Sequence, residues 1–323
     1  RKSRPPTPCF TEYQILASSN VLKARTHHTL DPHLFTLHEA VQQAGLESNS
    51  NVAEMMDALW DGRYGFRGEP WHCAQTAIKT ETLPQEMLLE LYDKNQGRIR
   101  PEAALNAFYD SGLHAAIDMF LVPAALRAAK EKKIGCISVN ISLRSLRAFS
   151  DAVTQESCAP LDSLLSGFKP SRVVLEVLES RNQSDHIIEQ DDVNALDTLC
   201  ALGFRIALDD LTVEERNILR LIALGPYSDY LKIDGHLIEQ WRQGNGADLI
   251  WLLKDIEIMR ERGFCKPRTF ILAEWVKTAT EAATLSELGV NLVQGRDLLA
   301  ADFRPAAELG KKMPPPLAAR IPP

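Results

Sequence analysis

No two of the six cysteines form a CxxC pair: Cys9, Cys73, Cys136, Cys158, Cys200 and Cys265 are scattered along the chain. That spacing excludes a zinc knuckle and fits reduced thiols better than a disulfide framework. Long apolar runs are missing too. None approaches the roughly 18 residues of a membrane helix, and no leader-like segment opens the chain. Basic charge is not in excess, since 36 Lys and Arg stand against 43 Asp and Glu for a formal charge of -7. A broad basic surface for nucleic acid is thereby excluded. These absences point to a cytoplasmic protein with neither DNA nor a membrane span among its partners.

What remains is an ordinary globular composition, 45% hydrophobic and 24% charged over 323 residues. That is enough for one large domain with an extension. The chain opens on Arg1 in RKSRPPTP, which reads as a segment of something longer. Residues 1–33 are polar and turn-rich and are expected to be largely irregular. Two helical patterns follow, LFTLHEAVQQAGL (34–46) and NVAEMMDALW (51–60), then a glycine-punctuated connector, DGRYGFRGEP (61–70). The second helix is acidic and carries no Lys or Arg, so the pair reads as packing helices and not as a DNA-reading unit. His27, His28, His33 and His38 match no compact zinc spacing and read as surface histidines. The organisation expected is an extension over 1–69, a barrel over 70–309 and a proline-rich tail over 310–323.

Between the ends one unit repeats: a short apolar run closes on a polar residue, and an amphipathic helix follows. The runs are CISVNIS (136–142), VVLEVLES (173–180), FRIALDD (204–210), DYLKID (229–234), TFILAEW (269–275) and VNLVQG (290–295). Helical stretches lie between them, such as DDVNALDTLCALG (191–203) and VKTATEAATLSELG (276–289). HCAQTAI (72–78) and EMLLELY (86–92) offer two further strands. Alternating strands and helices imply a parallel sheet, and about eight units imply a closed α/β barrel. In such barrels the strand C-termini share one mouth. Here they carry Asn140, Glu176, Asp209, Asp210, Lys232, Glu274 and Gln294. Oxygen ligands without His or Cys suit Mg²⁺ or Mn²⁺. Two such ions can clamp a phosphodiester, with Lys232 stabilising charge on its oxygens.

The pieces VNIS, VVLEVLES, ALDD, LKID, ILAEWVKT and VQG, in that order, resemble the successive motifs of the bacterial EAL domain. EMLLE (86–90) stands where that family has its naming motif, followed by GRIRPEAALNAFYDSGLHAAID (97–118). The resemblance implies a modified TIM-type (β/α)8 barrel that hydrolyses cyclic di-GMP to pGpG with two Mg²⁺ or Mn²⁺ ions. It implies Glu86, Asn140, Glu176 and Asp209 as metal ligands and Asp210 at the second ion. It places Lys232 at the bridging water, Glu274 as metal ligand or general base, and Gln294 as orienting the water. Glu179 would brace the loop after ALDD, and Gln75 would contact a guanine.

The pattern departs from the family in several places. DDFGTG reads DDLTVE, with Thr212 and Glu214 replacing glycines, and the segment from 213 on reads as helix. Those glycines allow conformations that Thr and Glu adopt only at a cost. Glu90 stands where the family has a phosphate-binding arginine, with Arg98 or Arg100 as neighbours able to offset it. Trp275 and Lys277 replace Gly and Glu. Two functions are therefore expected in competition: a phosphodiesterase, slow or partner-activated, and a degenerate module that binds cyclic di-GMP or a protein. A homodimer and a protein partner belong to the same expectation.

Overall fold

The computed structural model describes residues 31–74, 83–154, 165–178, 188–296 and 298. The first helix starts where the Asp31 carboxylate accepts the His33 amide at 2.9 Å and Pro32 enters the first turn. That helix is α1 (Pro32–Gln43). Asn49 caps α2 (Ser50–Trp60) in the same way, through the amides of Asn51 and Val52. A strand, β1 (Tyr64–Cys73), follows at once. After it come β2 (Gln85–Tyr92), the short β3 (Arg98–Ile99), α3 (Glu102–Asp110) and α4 (His114–Glu131).

From there strands and helices alternate. They are β4 (Ile137–Ile141), α5 (Leu146–Thr154), β5 (Val173–Val177), α6 (Gln190–Ala201), β6 (Arg205–Leu211) and α7 (Glu215–Leu224). The series ends with β7 (Tyr230–Ile233), α8 (Gly235–Arg242), α9 (Ala247–Glu261), β8 (Phe270–Ala273), α10 (Ala279–Glu287) and β9 (Leu292–Gln294). All six apolar runs read from the sequence are strands, and they pair in parallel from β4 through to β9. The sheet runs β1-β9-β8-β7-β6-β5-β4-β2 and closes through β1–β2, with β3 added outside β2. This is the modified barrel expected, with α1 and α2 as its helical extension.

Two expectations change at the seam. The stretch 64–70, expected as a connector, lies within β1, whereas HCAQTAI contributes only its first two residues to that strand. β1 also runs antiparallel to both neighbours, β2 and β9, in a sheet expected to be parallel. The chain from Cys73 to Gln85 is shorter than the dozen or more residues that a parallel crossover takes, so an antiparallel pair is the accessible solution.

Side-chain alternation then builds the barrel interior in two layers. Trp71, Val174, Ala207, Tyr230, Leu272 and Leu292 form an apolar plug inside it. Two residues further along five of those strands stand Glu176, Asp209, Lys232, Glu274 and Gln294. A period of two places each of them on the same inward face, one layer nearer the mouth. A second core is separate from the barrel. There Leu37, Val52 and Met55 of α1 and α2 pack with Phe108, Phe120 and Leu91 from α3, α4 and β2.

Candidate active site

Lys232 is 1% exposed, and its ammonium lies 2.7 Å from Asp209, 2.7 Å from Glu274 and 3.6 Å from Glu86. It is in short contact with Glu176 as well. Glu86 is held from both sides: Asn140 Nδ2 donates to Oε1 at 3.0 Å and Gln294 Nε2 donates to Oε2 at 2.6 Å. Asp209, Asp210 and Glu274 each bring a carboxylate oxygen within 4.8 Å of the others. The residues predicted from strand ends, with Glu86 from β2, therefore converge on one mouth. Gln75 and Glu179 lie outside the described residues.

Consecutive strand residues normally face opposite sides, so Asp209 and Asp210 could not both serve one site from regular β6. The strand breaks that rule. Its pairing with β7 shifts register between Leu208 and Leu211, and Asp210 takes φ 52°, in the left-handed region. Such a bulge re-aims a side chain, and a non-glycine residue there costs about 1–2 kcal/mol. The strain sits where the carboxylates are gathered.

Burial and charge act together on these groups. Burial first, then the charge of Glu86, pushes Glu176 up to about 8. Burial also holds Glu274 well above the usual carboxylate range. Burial opposes the charge on Lys232, but Asp209, Glu176, Glu274 and Glu86 raise its proton affinity well above that of a free lysine. Two carboxylates about 4 Å apart repel by roughly 4 kcal/mol at an effective dielectric of 20, so one lysine does not balance five acids. Asn140 Oδ1, Glu176 Oε1 and Gln294 Oε1 are buried oxygens without a hydrogen-bond partner. Each such orphan costs about 1–3 kcal/mol. Surplus negative charge and unpartnered oxygens, with no nitrogen or sulfur ligand among the described residues of the cluster, fit hard divalent cations.

A family model for the EAL domain matches residues 74–300. The chain belongs to the EAL domain family. A probable cyclic di-GMP phosphodiesterase, PdeA of Escherichia coli (strain K12), is 30% identical over 128 residues, 39% of this chain. This chain spans only 16% of that relative's length. Among solved structures, a PaMucR phosphodiesterase in complex with c-di-GMP aligns with TM-score 0.56 at 23% identity, covering 80% of this chain and 99% of that one. Klebsiella pneumoniae BlrP1 with manganese and cy-diGMP aligns with TM-score 0.53 at 21% identity, covering 72% and 55%. At these identities the structural likeness speaks for the fold.

Within this EAL domain the rewritten loop is less strained than the lost glycines suggested. The left-handed residues at the site are Asp210 and Trp275, not Thr212 or Glu214; Glu214 has φ -67°. Thr212 Oγ1 accepts from Asn217 Nδ2 at 2.7 Å and from the Glu214 amide at 3.4 Å, stitching the turn to the start of α7. Glu90 does not face the mouth uncompensated. Arg98 lies 3.2 Å and Arg67 3.4 Å from its Oε1, and the Tyr92 hydroxyl donates to Oε2 at 3.1 Å. Arg98 was legible as a neighbour in the chain, whereas Arg67 reaches Glu90 through β1–β2 pairing. Lys277 pairs with Glu239 at 3.1 Å, on α8.

The sequence reading missed Arg220. Buried on α7, its guanidinium donates to the Asp209 carbonyl at 2.6 Å and, more closely still, to that of Val177. It ties the ends of β5 and β6 together behind the aspartates. An arginine between apolar helix positions was the available signal, and it is a weak one.

Beside the mouth lies a cavity of about 340 Å³ whose walls include Arg67, Arg98, Tyr109, Asn140, Arg144 and Asp210. Among the described residues no helix is long and apolar enough to cross a membrane.

Proposed function

We propose that this EAL domain hydrolyses cyclic di-GMP to linear pGpG with two bound Mg²⁺ or Mn²⁺ ions. The observation that carries the reading is the convergence of Glu86, Glu176, Asp209, Asp210 and Glu274 around Lys232 in one barrel mouth, with buried oxygens left over for cations. Glu86, Asn140, Glu176 and Asp209 are suited to hold one ion and Asp210 with Glu274 the other. Such ions, when bound, supply Lewis-acid polarisation of the phosphodiester and a hydroxide at neutral pH. Lys232 counters negative charge gathering on the phosphate oxygens. Where Glu274 does not ligate the ion, its carboxylate takes the proton of the attacking water as general base. Gln294 spends its amide hydrogen on Glu86, which leaves Oε1 to orient that water. The cavity with its rim arginines gives the dinucleotide room beside the chemistry.

A second reading, a receptor that binds cyclic di-GMP without turnover, is favoured by Glu90 and Lys277. Each puts the opposite charge where the family resemblance places its own residue. The test is purified protein with Mn²⁺ and cyclic di-GMP, following pGpG over time. Turnover is expected, slowed at least about 100-fold in Glu86→Ala. No product at high enzyme, with Glu86→Ala indistinguishable from wild type, would sink the enzyme reading; tight binding in that case supports the receptor.

A further inference from the structure

We infer that Trp275 is a stacking platform for one purine base of the dinucleotide. The inference rests on the reading of the mouth as a cyclic di-GMP site. Trp275 follows Glu274 directly, and the Glu274 carboxylate reaches Lys232 at 2.7 Å. Trp275 thus has its backbone one residue from the acid cluster, and its indole packs on Gly235 just past the end of β7. Its backbone has φ 52°, a region that a bulky residue rarely enters. Burial does not explain that strain, because the residue remains 48% exposed.

The surroundings fix the ring. Gly235 opens α8, and a Cβ built on it would collide with the indole. A glycine there allows the close approach. The His236 ring leans on the indole with centroids 4.6 Å apart at 53°. Behind it, Arg242 Nη2 donates to the Trp275 carbonyl at 2.8 Å, and Arg242 is itself held by Glu281 at 2.7 Å. The result is a large aromatic surface, oriented in advance and half open to solvent, one residue from a phosphodiester-handling carboxylate. A nucleotide whose phosphate sits among the carboxylates carries its base to within reach of that indole. Every base offers a π-face, so stacking needs no particular hydrogen-bond pattern. A pre-oriented ring also loses little entropy on binding.

The test compares wild type, Trp275→Phe and Trp275→Gly by equilibrium binding of cyclic di-GMP and by tryptophan emission read on mixing, before turnover. Trp275→Gly suits the left-handed backbone, and its melting curve checks that it is folded. Stacking predicts an affinity loss of about 5- to 150-fold in Trp275→Gly. Trp275→Phe keeps its affinity within about threefold, because it retains an aromatic face. Ligand quenches emission in the wild type, and that quench disappears in Trp275→Phe although binding persists. If the wild type binds and Trp275→Gly binds equally well, the platform is overturned and the cyclic di-GMP reading stands. If the wild type fails to bind cyclic di-GMP at all, both fall together.

Discussion

Lys232 brings its ammonium into contact with four carboxylates, those of Glu86, Glu176, Asp209 and Glu274. Removing one partner from a buried ionic cluster costs more than the cluster contributes, because the remaining charges stay desolvated. Lys232→Met, similar in length, is therefore expected to lose about 3–5 kcal/mol of stability and to form no pGpG. Urea melts with and without Mn²⁺ check this, and the metal should recover more stability in the variant than in wild type. At this scale the sequence was informative. A polar residue closing an apolar run marks a strand end, and in a barrel all such ends meet. What stayed hidden was partnership across distance, as in the Arg67 contact that offsets Glu90. No local spacing encodes it.

The β6–α7 junction shows the same division one level up. The apolar run, the two aspartates and the start of a helix were all readable in ALDDLTVEERN. The left-handed turn at Asp210 was not, since φ depends on the register shift against β7, a tertiary event. Nor was Arg220, which holds the carbonyls of Asp209 and Val177 from the far side of α7. Arg220→Met removes the side-chain donor that both carbonyls share. The expected effect is a loss of about 2–4 kcal/mol together with Mn²⁺ binding weakened at least about tenfold. The denaturation midpoint reads the first and a metal titration the second. Unchanged metal affinity in a destabilised variant would confine Arg220 to a packing role. At the opposite end of the barrel, the reversed direction of β1 depended on how short its connection to β2 is, which a list of apolar runs does not weigh.

Across the whole molecule, a mouth lined with acids ties stability to pH. Glu176 is raised to about 8 and Glu274 well above the usual range, both from about 4.5 when unfolded. For carboxyls raised on folding, the stability they contribute is complete below the unfolded value and is lost as pH climbs through the folded one. Lys232 titrates above this window and does not offset the trend. In EDTA the melting temperature is therefore expected to fall between about pH 5 and pH 9. Saturating Mn²⁺ should flatten that slope, because a bound cation stabilises the ionised carboxylates. A melting temperature independent of pH in EDTA would contradict the buried, crowded state of these acids.

The seam through β1 also has a consequence in time. Gln294 reaches Glu86 across 208 residues of chain, and β1 pairs with β9, which lies far from it in the sequence. Contacts of such long range form late, after the entropy of a large loop has been lost. During synthesis Glu86 leaves the ribosome well before its hydrogen-bond partner and waits for it until β9 appears. The chemistry is therefore assembled last, and a chain truncated before β9 would hold most of the acids with no closed mouth around them.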